Sequence, residues 1–352
     1  MKRYTFLIPI LILMTLVFIG SCDIVDSITG NKDDGTVELY PVQVGGQWGY
    51  INKKGEIEIT PRFQNAAPFY EGLAAIRESN RRKYIDSRGE VVIEGNFSSI
   101  TRFSEGKAAV QLDGRWGYID KKGNFVINPK YRSAFAFSNG RAFVRSVDFS
   151  EHYYIDKNDK RIQSVSMPSS VDFVEENEFR DGRAMIRRQD LFGYIDRDGN
   201  AVIDLKYAEA RPFSERLAAV RISDRWGFID NNGEVSITPK FISVGDFGDG
   251  LAPARAGSNL FGYVDKDGVF VISEQFEVAE PFSEGRAAVL MDGRWTFIDK
   301  QGNIITQPQF DEVRPFYNGL ARVTLLVPVG ETIQTHRGYI NKSGQYVWYP
   351  TN

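Results

Sequence analysis

The strongest constraint on this chain is that it repeats itself. The line Trp48-Gly49-Tyr50-Ile51-Asn52-Lys53-Lys54-Gly55 returns as Trp116-Gly117-Tyr118-Ile119-Asp120-Lys121-Lys122-Gly123 and as Trp226-Gly227-Phe228-Ile229-Asp230-Asn231-Asn232-Gly233. Weaker copies start at Phe192, Phe261 and Trp295, and eroded ones at Arg82, His152 and Arg337. The nine starts are separated by 34, 34, 36, 40, 34, 35, 34 and 42 residues. A period in this range means small units that cannot bury an apolar face alone and must stack on their neighbours. The 352 residues are therefore not two or three ordinary domains.

Two further lines flank the first. A line such as Phe103-Ser104-Glu105-Gly106-Lys107-Ala108-Ala109-Val110 precedes eight of the starts, led in turn by Phe69, Phe103, Phe137, Phe179, Phe213, Phe247, Phe282 and Phe316. The first unit keeps its own version, because Leu39 lies nine residues before Trp48 just as Leu217 lies nine before Trp226. A third line follows each turn, as in Ile59-Thr60-Pro61-Arg62-Phe63 and Ile237-Thr238-Pro239-Lys240-Phe241. Short β-branched and aromatic runs bounded by turn residues are strand chemistry. Asp113-Gly114 between two such runs makes a hairpin turn. Asp-Lys-Lys-Gly-Asn after Ile119 makes another, with glycine in the left-handed position. The third strand is expected to end at its proline, which has no N–H to give a ladder. A content of 33 Gly, 25 Phe and 16 Tyr fits many short strands and tight turns.

Nine aromatic-Gly-aromatic-Ile-Asp lines resemble the WG-repeat family, also called KWG repeats, found widely in bacterial exported proteins. The resemblance spans residues 39–350 and implies little about function, because roles differ between its members. The expected fold is all-β: an open array, or solenoid-like superhelix, of about nine three-stranded antiparallel WG repeats. Their bounds are 39–66, 67–100, 101–134, 135–176, 177–210, 211–244, 245–279, 280–313 and 314–350. Propeller blades usually have four strands and number about 4–8. The last unit also ends on its own third strand, Gln345 to Pro350, leaving nothing to exchange with residues 39–44. A closed propeller-like ring is the alternative.

The first residues are an address. Lys2 and Arg3 precede an uncharged, mostly apolar run over residues 4–19, then small residues Gly20 and Ser21 stand before Cys22. That is the layout of a secretory signal peptide, and the run is short for a spanning helix. Ile19-Gly20-Ser21-Cys22 resembles a bacterial lipobox, which implies a signal peptide over 1–21, cleavage before Cys22 and acylation of that residue. Residues 22–38 then read as a lipidated cysteine on a polar, flexible tether. The expected location is the bacterial cell envelope, anchored to the inner or outer membrane and either periplasmic or surface-exposed.

Composition narrows the chemistry. A formal net charge of −3 argues against nucleic acid as a partner. One Cys and two His leave no material for a Cys-based or His-rich metal site, and no cofactor is implied. Each Asp after the Ile slot, such as Asp120 or Asp196, opens a turn where Asp caps backbone amides, and the remaining ligands of a calcium loop are missing. No nucleophile elbow or phosphate loop is present, and repetition argues against one unique catalytic centre. The protein is expected not to be an enzyme.

The copies serve as an internal alignment. The Tyr50 slot is always Tyr or Phe and the Ile51 slot always Ile or Val, so both faces of that strand are packed. The Trp48 slot also holds Arg82, His152 and Arg337, so it must reach solvent. Candidate ligand contacts are therefore Trp48, Trp116, Trp226 and Trp295, with His336 and Arg337 beside an insertion between Leu320 and Arg337. A second interruption lies between Asp156 and Phe192. Insertions in repeat proteins map to loops on one face, often the binding face. A basic position at Arg77, Arg145, Arg187, Arg221 and Arg255 is expected to pair with neighbouring acids. The expected role is a protein-binding scaffold at the envelope. The alternative is carbohydrate binding, to glycan or peptidoglycan, through the Trp slots. The partners are the membrane, through Cys22, and an envelope protein or glycan.

Overall fold

The computed structural model describes residues 38–148, 151–162, 172–173 and 178–351, all within one compact unit. Their strands form nine antiparallel sheets, six of four strands and three of three. These are blades 1 to 9 in chain order: residues 40–63, 65–94, 99–131, 133–156, 172–207, 209–241, 243–276, 278–298 and 312–351. Blade 3 shows the pattern, with strands Ser99–Ile100, Lys107–Leu112, Arg115–Asp120 and Phe125–Tyr131. The central pair is a hairpin in regular register, Val110 opposite Gly117 and Ala109 opposite Tyr118.

Two expectations about the unit need correction. The typical blade has four strands, not three, because a two-residue strand such as Ser99–Ile100 precedes the hairpin. Two residues carry no alternation to read in a sequence. The third line also does not stop at its proline, since Phe125–Tyr131 runs through Pro129 and Ile57–Phe63 through Pro61. The register slips there, with Trp116 opposite Tyr131 but Tyr118 opposite Ile127. Proline sits in that bulge, where its missing N–H leaves no ladder bond broken.

The array is closed, which overturns the expected open solenoid. Nine apolar clusters hold the molecule together, each straddling two consecutive blades, and the ninth joins blade 9 to blade 1 through Tyr40, Val42, Ile51, Leu320 and Tyr339. An aromatic contact to the next blade recurs at every step, and Tyr50, Tyr84, Tyr118, Tyr194, Tyr263 and Tyr339 add a hydroxyl bond to a carbonyl there. The buried Tyr118 hydroxyl donates to the Phe135 carbonyl of the next blade at 2.9 Å, and its ring meets Phe137 at 4.9 Å. At the seam the Tyr339 hydroxyl donates to the Pro41 carbonyl at 2.9 Å, and its ring meets Tyr40 at 5.6 Å. No strand is exchanged. Face-to-face packing of the sheets closes this nine-bladed propeller, so the independent last strand is no obstacle.

Contacts between alternate blades locate the axis, because blades two steps apart meet only at the inner edge of a ring. Arg102 of blade 3 reaches Glu178 of blade 5 at 3.6 Å, and Arg180 of blade 5 reaches Asp246 of blade 7 at 3.7 Å. The segments joining the short first strand to the hairpin therefore face the axis. Blade 1 has no such segment among the described residues, and Tyr70 and Tyr317 meet across its place at 6.2 Å.

Candidate functional site

The two ends of the blades differ in how far they are occupied by the ring itself. At one end the Glu105 carboxylate accepts the Gly140 N–H of the next blade at 2.9 Å, and Glu71, Glu215 and Glu284 repeat the bond to Gly106, Gly250 and Gly319. Lysines from adjacent turns join them, Lys121 to Glu71 at 3.3 Å and Lys342 to Glu284 at 3.0 Å. The turn aspartates at this end serve their own loops: Asp120 Oδ1 accepts the N–H groups of Lys122 and Asn124, both at 2.9 Å. The opposite end carries the Asp-Gly hairpin turns and the Trp slots, and it is the candidate binding face.

Every Trp-slot side chain is half-buried. Trp48 packs against the apolar cluster of Tyr50, Ile59 and Phe63, and Trp116 against that of Tyr118, Ile127 and Tyr131. Trp226 and Trp295 pack in the same way beside Phe241 and Phe310. These four belong to blades 1, 3, 6 and 8, so the structure spreads them around the ring and does not bring them into one pocket. His336 and Arg337 lie on Thr332–Asn341. Arg337 fills the Trp slot of blade 9 and points Nη1 at Gln43 Oε1, 3.5 Å away, across the seam from Trp48. His336 Nε2 lies 3.3 Å from Gln334 Oε1. Cys22 and the tether before residue 38 lie outside the described residues, as do residues 163–171 and 174–177 of the interruption after Asp156.

The insertion in the last unit is a hairpin extension. Leu320–Val329 and Thr332–Asn341 are ten residues each, against six in the blade 3 hairpin, and they pair without a slip to Val329 opposite Thr332. The extra pairs carry the tip about 13 Å beyond the other turns. One face of the projection shows Leu326, Pro328 and Ile333, with Ile333 67% exposed.

The arginines of the basic position do not form one stripe. Arg221 is bonded to Glu209, and Arg255 stacks on Phe261 at 5.2 Å. A cavity of about 290 Å³ opens where Arg211, Ser243, Asp246, Phe261, Glu280 and Pro281, among others, line one space. Arg211 stands 4.0 Å from Asp246 and 5.9 Å from the Trp226 ring. Glu280 is exposed as a residue, yet partial desolvation pushes its carboxyl up, with Arg211 opposing the shift and the Asp246 charge adding to it. Sequence reasoning missed these residues. The signal available was the pair before each Phe of the second line, which reads Ala67-Pro68 in one copy but Gly245-Asp246 and Glu280-Pro281 in others.

No curated protein matches the chain. A crystal structure of a eukaryotic initiation factor aligns over 90% of this chain and 96% of that one, at 9% identity and a TM-score of 0.58. Kluyveromyces lactis Hsv2 aligns over 67% of this chain and 95% of that one, at 9% identity and TM-score 0.40. The extracellular domain of a hybrid two-component system from B. thetaiotaomicron aligns over 92% of this chain and 60% of that one, at 10% identity and TM-score 0.26. The likeness to the initiation factor is one of fold alone. The sequence model described as the WG containing repeat matches residues 48–81, 84–116, 116–146, 192–226, 226–259, 261–295 and 295–325. With those matches over most of the ring, and a tyrosine or phenylalanine of the repeat line buried in every blade, the chain belongs to the WG-containing repeat family.

Proposed function

We propose that this protein is a non-catalytic, lipid-anchored scaffold of the bacterial envelope that binds a protein partner through the projecting hairpin of blade 9. The single observation carrying the reading is that hairpin. Among the described residues it is the place where a copied unit lengthens its hairpin beyond that of its siblings, and it places Leu326, Pro328 and Ile333 in solvent on one face. Exposed apolar side chains on a rigid projection suit a protein contact better than a sugar, whose rings stack on aromatic faces. The anchor rests on the lipobox resemblance at Cys22.

The test uses the tagged full-length chain, crosslinked in cells and recovered from membranes, beside a variant in which Leu326–Thr335 is replaced by an Asp-Gly turn. Intact mass should show a mature N-terminus at acylated Cys22. A crosslinked protein should be present with the native chain and absent with the variant, while both melt at similar temperatures. An unmodified Cys22 with the leader retained refutes the anchor, and identical crosslinks in the two forms refute the hairpin.

A further inference from the structure

We propose that the cavity between blades 6, 7 and 8 is a binding site for a small organic ligand carrying a protonated primary amine, with Glu280 as its anchoring carboxylate. Three charged residues meet in its wall from three successive blades: Arg211, Asp246 and Glu280. The fold does not require them, since the matching positions of blade 2 are Ala67 and Pro68 and those of blade 4 are Phe135 and Ala136.

The charges are unevenly matched. Asp246 lies between two guanidinium groups, Arg180 at 3.7 Å and Arg211 at 4.0 Å. Among the described residues the Glu280 carboxylate has no hydrogen bond or ion pair. Arg180 and Arg211 balance the two carboxylates in charge, but both approach Asp246, so Glu280 is the carboxylate left to take a cationic group. Phe261, Val244, Ala279 and Pro281 supply an apolar wall, and Ser243 adds a hydroxyl. A volume of about 290 Å³ admits a monosaccharide or an amino-acid-sized molecule but not a polymer. An ammonium group on Glu280 would gain a charge-assisted hydrogen bond, with the aromatic wall against the ligand body. This site is separate from the blade 9 hairpin and does not depend on it.

Calorimetric titration of the full chain tests the site with two amines, glucosamine and cadaverine, and their uncharged counterparts, glucose and 1-pentanol. The sugar and alkyl arms distinguish an amino sugar from an aliphatic amine as the natural source. At pH 7 at least one amine should saturate the protein and bind tenfold or more tightly than its counterpart, a loss in the range of one hydrogen bond to a charged group. Glu280→Gln should erase that preference, whereas Glu277→Gln, whose carboxylate serves the Gly293 amide outside the cavity, should keep it. Failure of both amines to bind, equal binding of amine and counterpart, or an undiminished preference in Glu280→Gln each overturns the proposal.

Discussion

Asp120 shows how much one residue type does when it is copied around a ring. Its Oδ1 holds two backbone amides of its own turn, and Asp86, Asp196 and Asp299 do the same in other blades. The amide of Asn124 above all holds the Asp120 carboxyl below the usual range. For Asp86, Asp196 and Asp299 burial opposes ionisation, yet the hydrogen bonds win and these carboxyls are lowered too. A folded pKa below the unfolded one means that folding favours the ionised form. That contribution is complete above the unfolded value of about 3.9 and disappears as pH falls through the lower folded values. The melting temperature should therefore change little between about pH 7 and 5 and drop steeply below about pH 4, as followed by circular dichroism. Asp120→Asn should shrink the acid loss while costing little at neutral pH, because Asn52 Oδ1 already holds the amides of Lys54 and Glu56 at 2.9 and 3.1 Å. This role was legible in the sequence, since capping needs only the turn's first position and no distant partner.

At the scale of the element, the glycine between the two aromatics decides whether a blade keeps its last strand. A Cβ on Gly117 would lie 2.5 Å from the Ile127 carbonyl oxygen and 2.7 Å from Pro129 N, inside the bulge. Blades with glycine here keep last strands of six or seven residues, such as Phe125–Tyr131 and Tyr346–Thr351. Lys83 in that slot leaves only Val91–Glu94. Thr296 leaves isolated bridges, Ile298 with Ile304 and Trp295 with Phe310, and its hydroxyl binds the Thr306 carbonyl instead. Gly117→Ala should lower stability by about 1–3 kcal/mol, the usual cost of an added group in a packed site. Thr296→Gly should slow amide exchange over residues 304–307 as the strand settles onto its neighbour; unchanged exchange there would remove the glycine from this role. The repeat line displays these glycines plainly. Their reason stays hidden, because the bulge that presses on them comes from a strand about ten residues away and one register step out.

For the whole molecule, closure makes the seam an interface like any other. Tyr84 and Tyr339 make the same hydrogen bond to the next blade, to Thr101 at 2.7 Å and to Pro41 at 2.9 Å. Each change to phenylalanine should cost about 1 kcal/mol, measured by chemical denaturation, and the two losses should be similar. A Tyr339→Phe chain as stable as the parent would mean that the seam carries no load in solution. Phe228 and Phe297 hold the same slot without a hydroxyl, so neither variant should fail to fold.

The sequence by itself determined the number of units, the hairpin in each, the turn chemistry and the two packed faces of the central strand. All of these are local, set by residues within one period and checked nine times over. It read the insertion in the last unit as a protruding loop where the structure has a lengthened hairpin, and it missed the short first strand altogether. Whether the array closes lay beyond it. Each interface turns one blade against the next by an amount that depends on how two sheets pack, and a repeated rotation makes a ring only when it returns to its start. Here the ninth step brings Tyr339 onto Tyr40 and Pro41. The stacking of successive blades carries Arg211, Asp246 and Glu280, about 35 residues apart in the chain, to one cavity, which no reading of single repeats can assemble.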